Sequence, residues 1–192
     1  VKFILFMLPL VVTLFADAQQ VTLPAKVFFD DIKRQAATQE KYIFVDCAAN
    51  WCGPCNEMDM KVFSDTAVAD YLTNQFICMR LQFDLQDTDT NFLSQKKEEI
   101  KTLSVKYNIT GLPTLLVFNS RGALVLRGSF FRDAAAFLAF LRKSRDEDEQ
   151  YFFLHEQFNA GVHDRETVNT LLPLAVKRNN ERLVKRLKAV EH

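Results

Sequence analysis

The chain has 192 residues, 48% hydrophobic and 25% charged, with Lys+Arg and Asp+Glu balanced at 24 each. That is enough for one domain with a full core plus an appendage. Zero net charge excludes a nucleic-acid binder working by phosphate neutralisation, 5 Gly and 5 Pro exclude collagen-like and low-complexity chains, and four unevenly spaced Cys exclude a disulfide-stapled miniprotein.

Val1 to Phe15 carries one basic residue, Lys2, followed by an uncharged apolar run, and Ala16-Asp17-Ala18 puts small residues where a signal peptidase needs them. This predicts a secretory signal over residues 1–18, cut before Gln19. The run is shorter than the about 20 residues that cross a bilayer, and Pro9 interrupts it. The mature chain is therefore expected to be exported, periplasmic or secreted, in a disulfide-permissive compartment and without a membrane span.

Val27, Phe28, Ile32 and Ala36 fit one face of a helix opened by Pro24. Tyr42 to Val45 reads as a short buried strand that ends at Asp46. A helix should start near Gly53-Pro54, break at Ser64-Asp65 and continue through Val68, Tyr71 and Leu72. Phe76 to Asp84 reads as a second strand and Asn91 to Tyr107 as a surface helix. Thr114 to Phe118 and Ala123 to Arg127, joined by Asn119-Ser120-Arg121-Gly122, read as a hairpin, and Asp133 to Lys143 as an amphipathic helix. This order describes an α/β sheet with helices on both faces.

After Ser144 the pattern is all-helical. One helix carries Tyr151, Leu154 and Phe158 and ends at Gly161. A second, capped by Asp164, carries Val168, Leu171, Leu172, Ala175 and Val176 and is kinked or interrupted at Pro173. A third carries Leu183, Leu187 and Val190. Residues 145–192 are too few to bury a core alone, so they should pack on the 19–144 domain through Tyr151, Phe152, Phe153 and Phe158. The basic residues Lys177, Arg178, Arg182, Lys185, Arg186 and Lys188 read as a solvated face.

The chemistry concentrates in Trp51-Cys52-Gly53-Pro54-Cys55, at a strand-to-helix junction. Two Cys three apart in a first helical turn can form a disulfide. The first faces unpaired N–H groups and the positive end of the helix dipole, which favours its thiolate. Attack by Cys52 on a disulfide gives a mixed disulfide, which Cys55 resolves. The alternative is half of a zinc site. Against it, the three His lie far off, at 155, 163 and 192, and there is no second Cys-x-x-Cys. No metal and no cofactor are expected.

The run Val45 to Cys55 resembles the active-site segment of thioredoxins, and Gly111-Leu112-Pro113-Thr114 is similar to the family's cis-proline loop. The resemblance covers roughly residues 41–143, and the segments Val62-Phe63-Ser64-Asp65 and Asp84 to Tyr107 look more like the periplasmic thioredoxin-like domains of thiol:disulfide interchange proteins. It implies a thioredoxin-like fold, a central mixed sheet flanked by helices, followed by the helical extension. It implies Cys52 as nucleophile and Cys55 as resolving thiol. Trp51, Gly53, Pro54, Leu112, cis-Pro113 and Thr114 would form a substrate-binding surface, with a backbone edge on which an extended segment can pair. Asp46, buried under the site with a raised pKa, would exchange a proton with Cys55, while Arg80 beside it would favour its ionised form. Trp51 shields the disulfide or, alternatively, packs in the core. Cys47 and Ala48 replace a bulkier aromatic pair usual in the family, and Asn56 and Glu57 replace a basic residue, making the rim less positive.

The expected function is disulfide reduction in client proteins. Gly53-Pro54 supplies no charge to over-stabilise the thiolate, so a Cys52 pKa of about 7 is expected, not the about 3.5 of a strong oxidant. A reductant in an oxidising compartment needs an electron donor, expected to be a membrane protein. Isomerase or oxidase activity, or an adaptor that binds partners through its C-terminal helices, are the alternatives. Cys47 and Cys78 should be free thiols on opposite faces of the sheet.

Overall fold

A computed structural model describes residues 21–190. The signal sequence read in residues 1–18 lies outside the described residues. The elements in chain order are α1 (Phe29–Gln39), β1 (Tyr42–Ala48), α2 (Gly53–Lys61), α3 (Thr66–Gln75), β2 (Phe76–Gln82) and α4 (Thr90–Lys106). They continue with β3 (Thr114–Phe118), β4 (Leu124–Gly128), α5 (Ala134–Lys143), α6 (Glu147–Asn159), α7 (Arg165–Lys177) and α8 (Glu181–Val190). The four strands form one mixed sheet in the order β2-β1-β3-β4, in which β1 and β2 are parallel and the other pairs antiparallel.

Strand alternation sorts the apolar side chains into two cores. Ile43, Val45 and Cys47 on β1, with Ile77, Met79 and Leu81 on β2, face α1 and α4, meeting Phe29, Ile32 and Ile100. Phe44, Phe76, Leu115 and Val117 face the other way, onto Met58, Val68, Leu72, Phe137 and Leu141 of α2, α3 and α5. Tyr151, Leu154, Phe158, Leu171, Leu183 and Leu187 of α6–α8 belong to this second core. Gln150 adds polar ties, donating to Tyr42 Oη and to the Ser144 carbonyl, both at 2.8 Å, and Asn119 Nδ2 donates to Thr170 Oγ1 at 3.0 Å.

Four local expectations need correction. The first helix starts at Phe29, not at Val27. Phe28 occupies the N-cap without a side-chain acceptor, and the Pro24 carbonyl instead accepts the Arg80 N–H at 3.0 Å along the outer edge of β2. β1 runs through Asp46 to Ala48, so Asp46 sits inside the strand and not at its end. Pro173 does not interrupt α7: the helix continues to Lys177, held by the buried Val168, Leu171 and Ala175, while Val176 is exposed. Phe152 is 67% exposed, so Tyr151, Phe158 and the half-buried Phe153, which lines a cavity with Leu124 and Arg127, face the sheet domain without it.

The basic face is also less free than its sequence suggests. Lys177 pairs with Glu147 and Arg178 with Asp148, whereas Arg186 lies over the Phe158 ring, 5.0 Å from its centroid. Among the described residues no helix is long and apolar enough to cross a membrane.

Candidate functional site

Cys52 is the N-cap of α2, and its Sγ accepts from the Cys55 N–H at 3.2 Å. Pro54 lies in the first turn, where its missing N–H costs no helical bond. The two sulfurs are joined in a disulfide, and both residues are buried. No group of residues suited to hold a metal exists among the described residues, and Cys47 and Cys78 are free thiols. Cys47 faces α1 and α4, Cys78 the opposite core. Burial pushes both thiols up, Cys78 to about 12, which keeps them protonated and inert.

Around the disulfide, Ala48, Ala49 and Leu112 form the apolar surround. Trp51 is 72% exposed, which excludes the core-packing reading. Gly53 and Pro54 are exposed beside it. The Leu112–Pro113 peptide bond is cis. The Pro113 carbonyl accepts from Ser129 Oγ at 3.0 Å, and Thr114 Oγ1 donates to the Gly111 carbonyl at 2.7 Å. Thr114 is buried, so its side chain braces the loop.

Asp46 is 2% exposed. Its Oδ2 accepts from Arg80 Nε at 2.7 Å and lies 2.6 Å from Arg80 Nη2. Arg80 favours the ionised carboxylate and burial the protonated one. Burial outweighs the guanidinium and lifts Asp46 to about 6, with Asp59 adding to the rise. Asp59, on α2 one turn beyond Cys55, grips the other side of Arg80, with Nη1 to Oδ2 at 3.0 Å and Nη2 to Oδ1 at 2.5 Å. Asp59 is absent from the sequence-based set. Its i+4 spacing from Cys55 was the available signal.

The Thioredoxin-like domain family model matches residues 28–145. The thiol:disulfide interchange protein DsbD of Yersinia pestis is 35% identical over 111 residues, which are 57% of this chain and 17% of that protein. The chain thus spans about a sixth of the length of the curated relatives it matches. A Bacteroides thetaiotaomicron protein assigned as a disulphide-isomerase superposes with TM-score 0.55 at 29% identity, covering 68% of this chain and 98% of that one. The DsbH oxidoreductase shares the fold, with TM-score 0.54 at 15% identity over 65% of this chain and 86% of that one. With the disulfide at the start of α2, the cis-proline loop beside it and a family model covering most of the sheet domain, this chain belongs to the thioredoxin-like family.

Proposed function

We propose that this chain is an exported thiol–disulfide oxidoreductase that reduces disulfides in client proteins and is itself re-reduced by a membrane-bound dithiol donor. The observation that carries the reading is the Cys52–Cys55 disulfide at a helix N-terminus, with a buried carboxylate on the adjoining strand. In the reduced protein the Cys52 thiolate attacks one sulfur of the client disulfide. A Cys52–client S–S bond forms, the client S–S bond breaks, and the departing thiolate takes a proton. Cys55 loses its proton to Asp46 and attacks Cys52 Sγ, which re-forms the internal disulfide and releases the second client thiol. Two electrons pass to the client. At pH 7 a carboxylic acid with a pKa of about 6 is mostly ionised, yet basic enough to accept that proton.

The exposed Trp51, with Gly53, Pro54 and the Leu112-Pro113-Thr114 backbone, is the client surface. The uncharged Gly53-Pro54 pair supports the reducing direction, since only the helix terminus stabilises the Cys52 thiolate. Likeness to the Bacteroides thetaiotaomicron protein favours a second reading, disulfide isomerisation. The deciding measurement is the reduction potential of the Cys52–Cys55 pair against a glutathione series. A value near the about −270 mV of thioredoxin supports the reductant, and one above about −180 mV moves the assignment to isomerase or oxidase. Cys52→Ser abolishes insulin reduction if the chain is an enzyme and leaves partner binding intact if it is an adaptor.

A further inference from the structure

The loop that presents the nucleophile packs through small side chains alone. Trp51 and Asn50 are exposed, and only Ala48, Ala49 and the cysteines themselves are buried. The Cys52 N–H donates to the Ala49 carbonyl at 3.0 Å, and the remaining polar contacts of the loop converge on Asn50, two residues before Cys52. The Asn50 N–H donates to Asp84 Oδ2 at 2.9 Å, and the Asn50 carbonyl accepts from Asn56 Nδ2 at 3.1 Å. The Asn50 side-chain oxygen accepts from Gln82 Nε2 at 3.2 Å. The same Gln82 nitrogen donates to Asp84 Oδ1 at 2.5 Å, so one buried amide joins the loop to the carboxylate that holds it. Gln82 is the last residue of β2, a rigid element, and Phe83 N–H donates to the Ala48 carbonyl at 2.9 Å just behind it.

We infer that Gln82 and Asp84 are positioning residues for Cys52, holding the Asn50–Cys52 loop so that the sulfur stays aligned with the free N–H groups at the start of α2. The inference rests on the proposed role of Cys52 as nucleophile. Its physical content is preorganisation: a thiolate gains from the helix N-terminus only while it sits on the N–H groups, as Cys52 Sγ sits on the Cys55 N–H. Releasing the loop loosens that alignment and raises the pH at which Cys52 ionises. Neither residue touches the reacting sulfurs, so the effect travels through Asn50.

Substitution at Gln82 keeps the local charge constant, whereas Asp84 also carries charge, in a region that holds the Asp46–Arg80–Asp59 cluster and, on α2, Glu57 with Lys61 and Arg132 near it. The test therefore compares Gln82→Met with wild type, and Asp84→Ala with Asp84→Asn, which keeps an oxygen for the Asn50 N–H. The readout is the pH dependence of Cys52 alkylation in the fully reduced protein, with a thermal melt as control. Gln82→Met should move the midpoint upward by about half to one pH unit, a loss of about threefold to tenfold in thiolate at neutral pH, and Asp84→Ala should lie above Asp84→Asn by a similar margin. Gln82→Met matching wild type, or Asp84→Ala matching Asp84→Asn, within about 0.2 of a unit overturns the assignment. Should Gln82→Met fail to fold, the Asp84 pair decides alone. Alkylation needs no client, so a wild-type protein that reduces no protein disulfide sinks the proposed function without touching this result.

Discussion

Glu99, on α4, accepts the first amide N–H of α1, that of Phe29, at 2.6 Å. It supplies the cap that Phe28 cannot, and the fully buried Lys96 completes the joint by donating to Glu99 Oε2 and to the Val27 carbonyl, both at 2.5 Å. The ammonium also lies 5.6 Å from the Phe28 ring centroid. Removing one partner of such a pair leaves the other buried without compensation. Lys96→Met should cost about 3 kcal/mol in urea unfolding, and adding Glu99→Gln should recover part of that loss.

Asp46 makes stability depend on pH in an unusual direction. Its folded-state value is about 6, above the ordinary 3.8, so the native state holds the proton more tightly than the unfolded chain. Stability therefore falls as pH rises from about 4 to about 6 and stays lower above that. Asp46→Asn should be more stable than wild type at pH 7, by about 2 kcal/mol, with the gap closing below pH 4. The same variant should lose about 100-fold in client reduction at neutral pH, because Cys55 loses its proton acceptor. Equal stability at pH 7 and pH 4 would contradict the linkage.

Asp59 acts on Asp46 through space and through Arg80. Asp59→Asn removes a negative charge and releases the guanidinium toward Asp46, and both changes favour the ionised form. The acid limb of the pH–rate profile should move below about 6, with the Cys52 dependence of the reaction retained.

Gly128 ends β4 with no room for a side chain. A Cβ there would lie 2.7 and 2.8 Å from Phe140 ring carbons and 3.3 Å from Phe131. The Phe140 ring is itself packed, against Phe131 and Phe137, and cannot yield freely. Gly128→Ala should destabilise by about 1–3 kcal/mol, read from the shift in a urea midpoint.

Ending the chain after Ser144 uncovers the face that α6–α8 share with the sheet domain. The truncated protein should melt at lower temperature and bind more of a hydrophobic dye than the full chain. An unchanged melt would mean that these helices serve a partner instead of their own domain.

What the sequence disclosed and what it hid follow a physical division. The strands were legible as apolar runs, α2 from Pro54, α5 from its amphipathic spacing and the disulfide from Cys52 and Cys55, because each signal is carried by neighbours along the chain, whereas Pro113 came through the family resemblance. Partners separated by many positions left no trace: Glu99 capping Phe29, or Gln82 and Asp84 meeting Asn50. The error at Val27 has this origin, since the cap that sets the helix start comes from α4. Pro173 misled for a related reason, because the burial of Val168, Leu171 and Ala175 outweighs a local helix-breaking preference.

Trp51 is the chain's single tryptophan and stands beside the disulfide, open to solvent. The molecule therefore carries its own optical gauge. A disulfide quenches a neighbouring indole by accepting an electron from its excited state, and a dithiol quenches it less. Every photon of indole emission comes from this one rim position. Brightness then follows the oxidation state, and the colour of the emission follows whether water or a docked client covers the ring, so turnover and docking can be followed separately without a label.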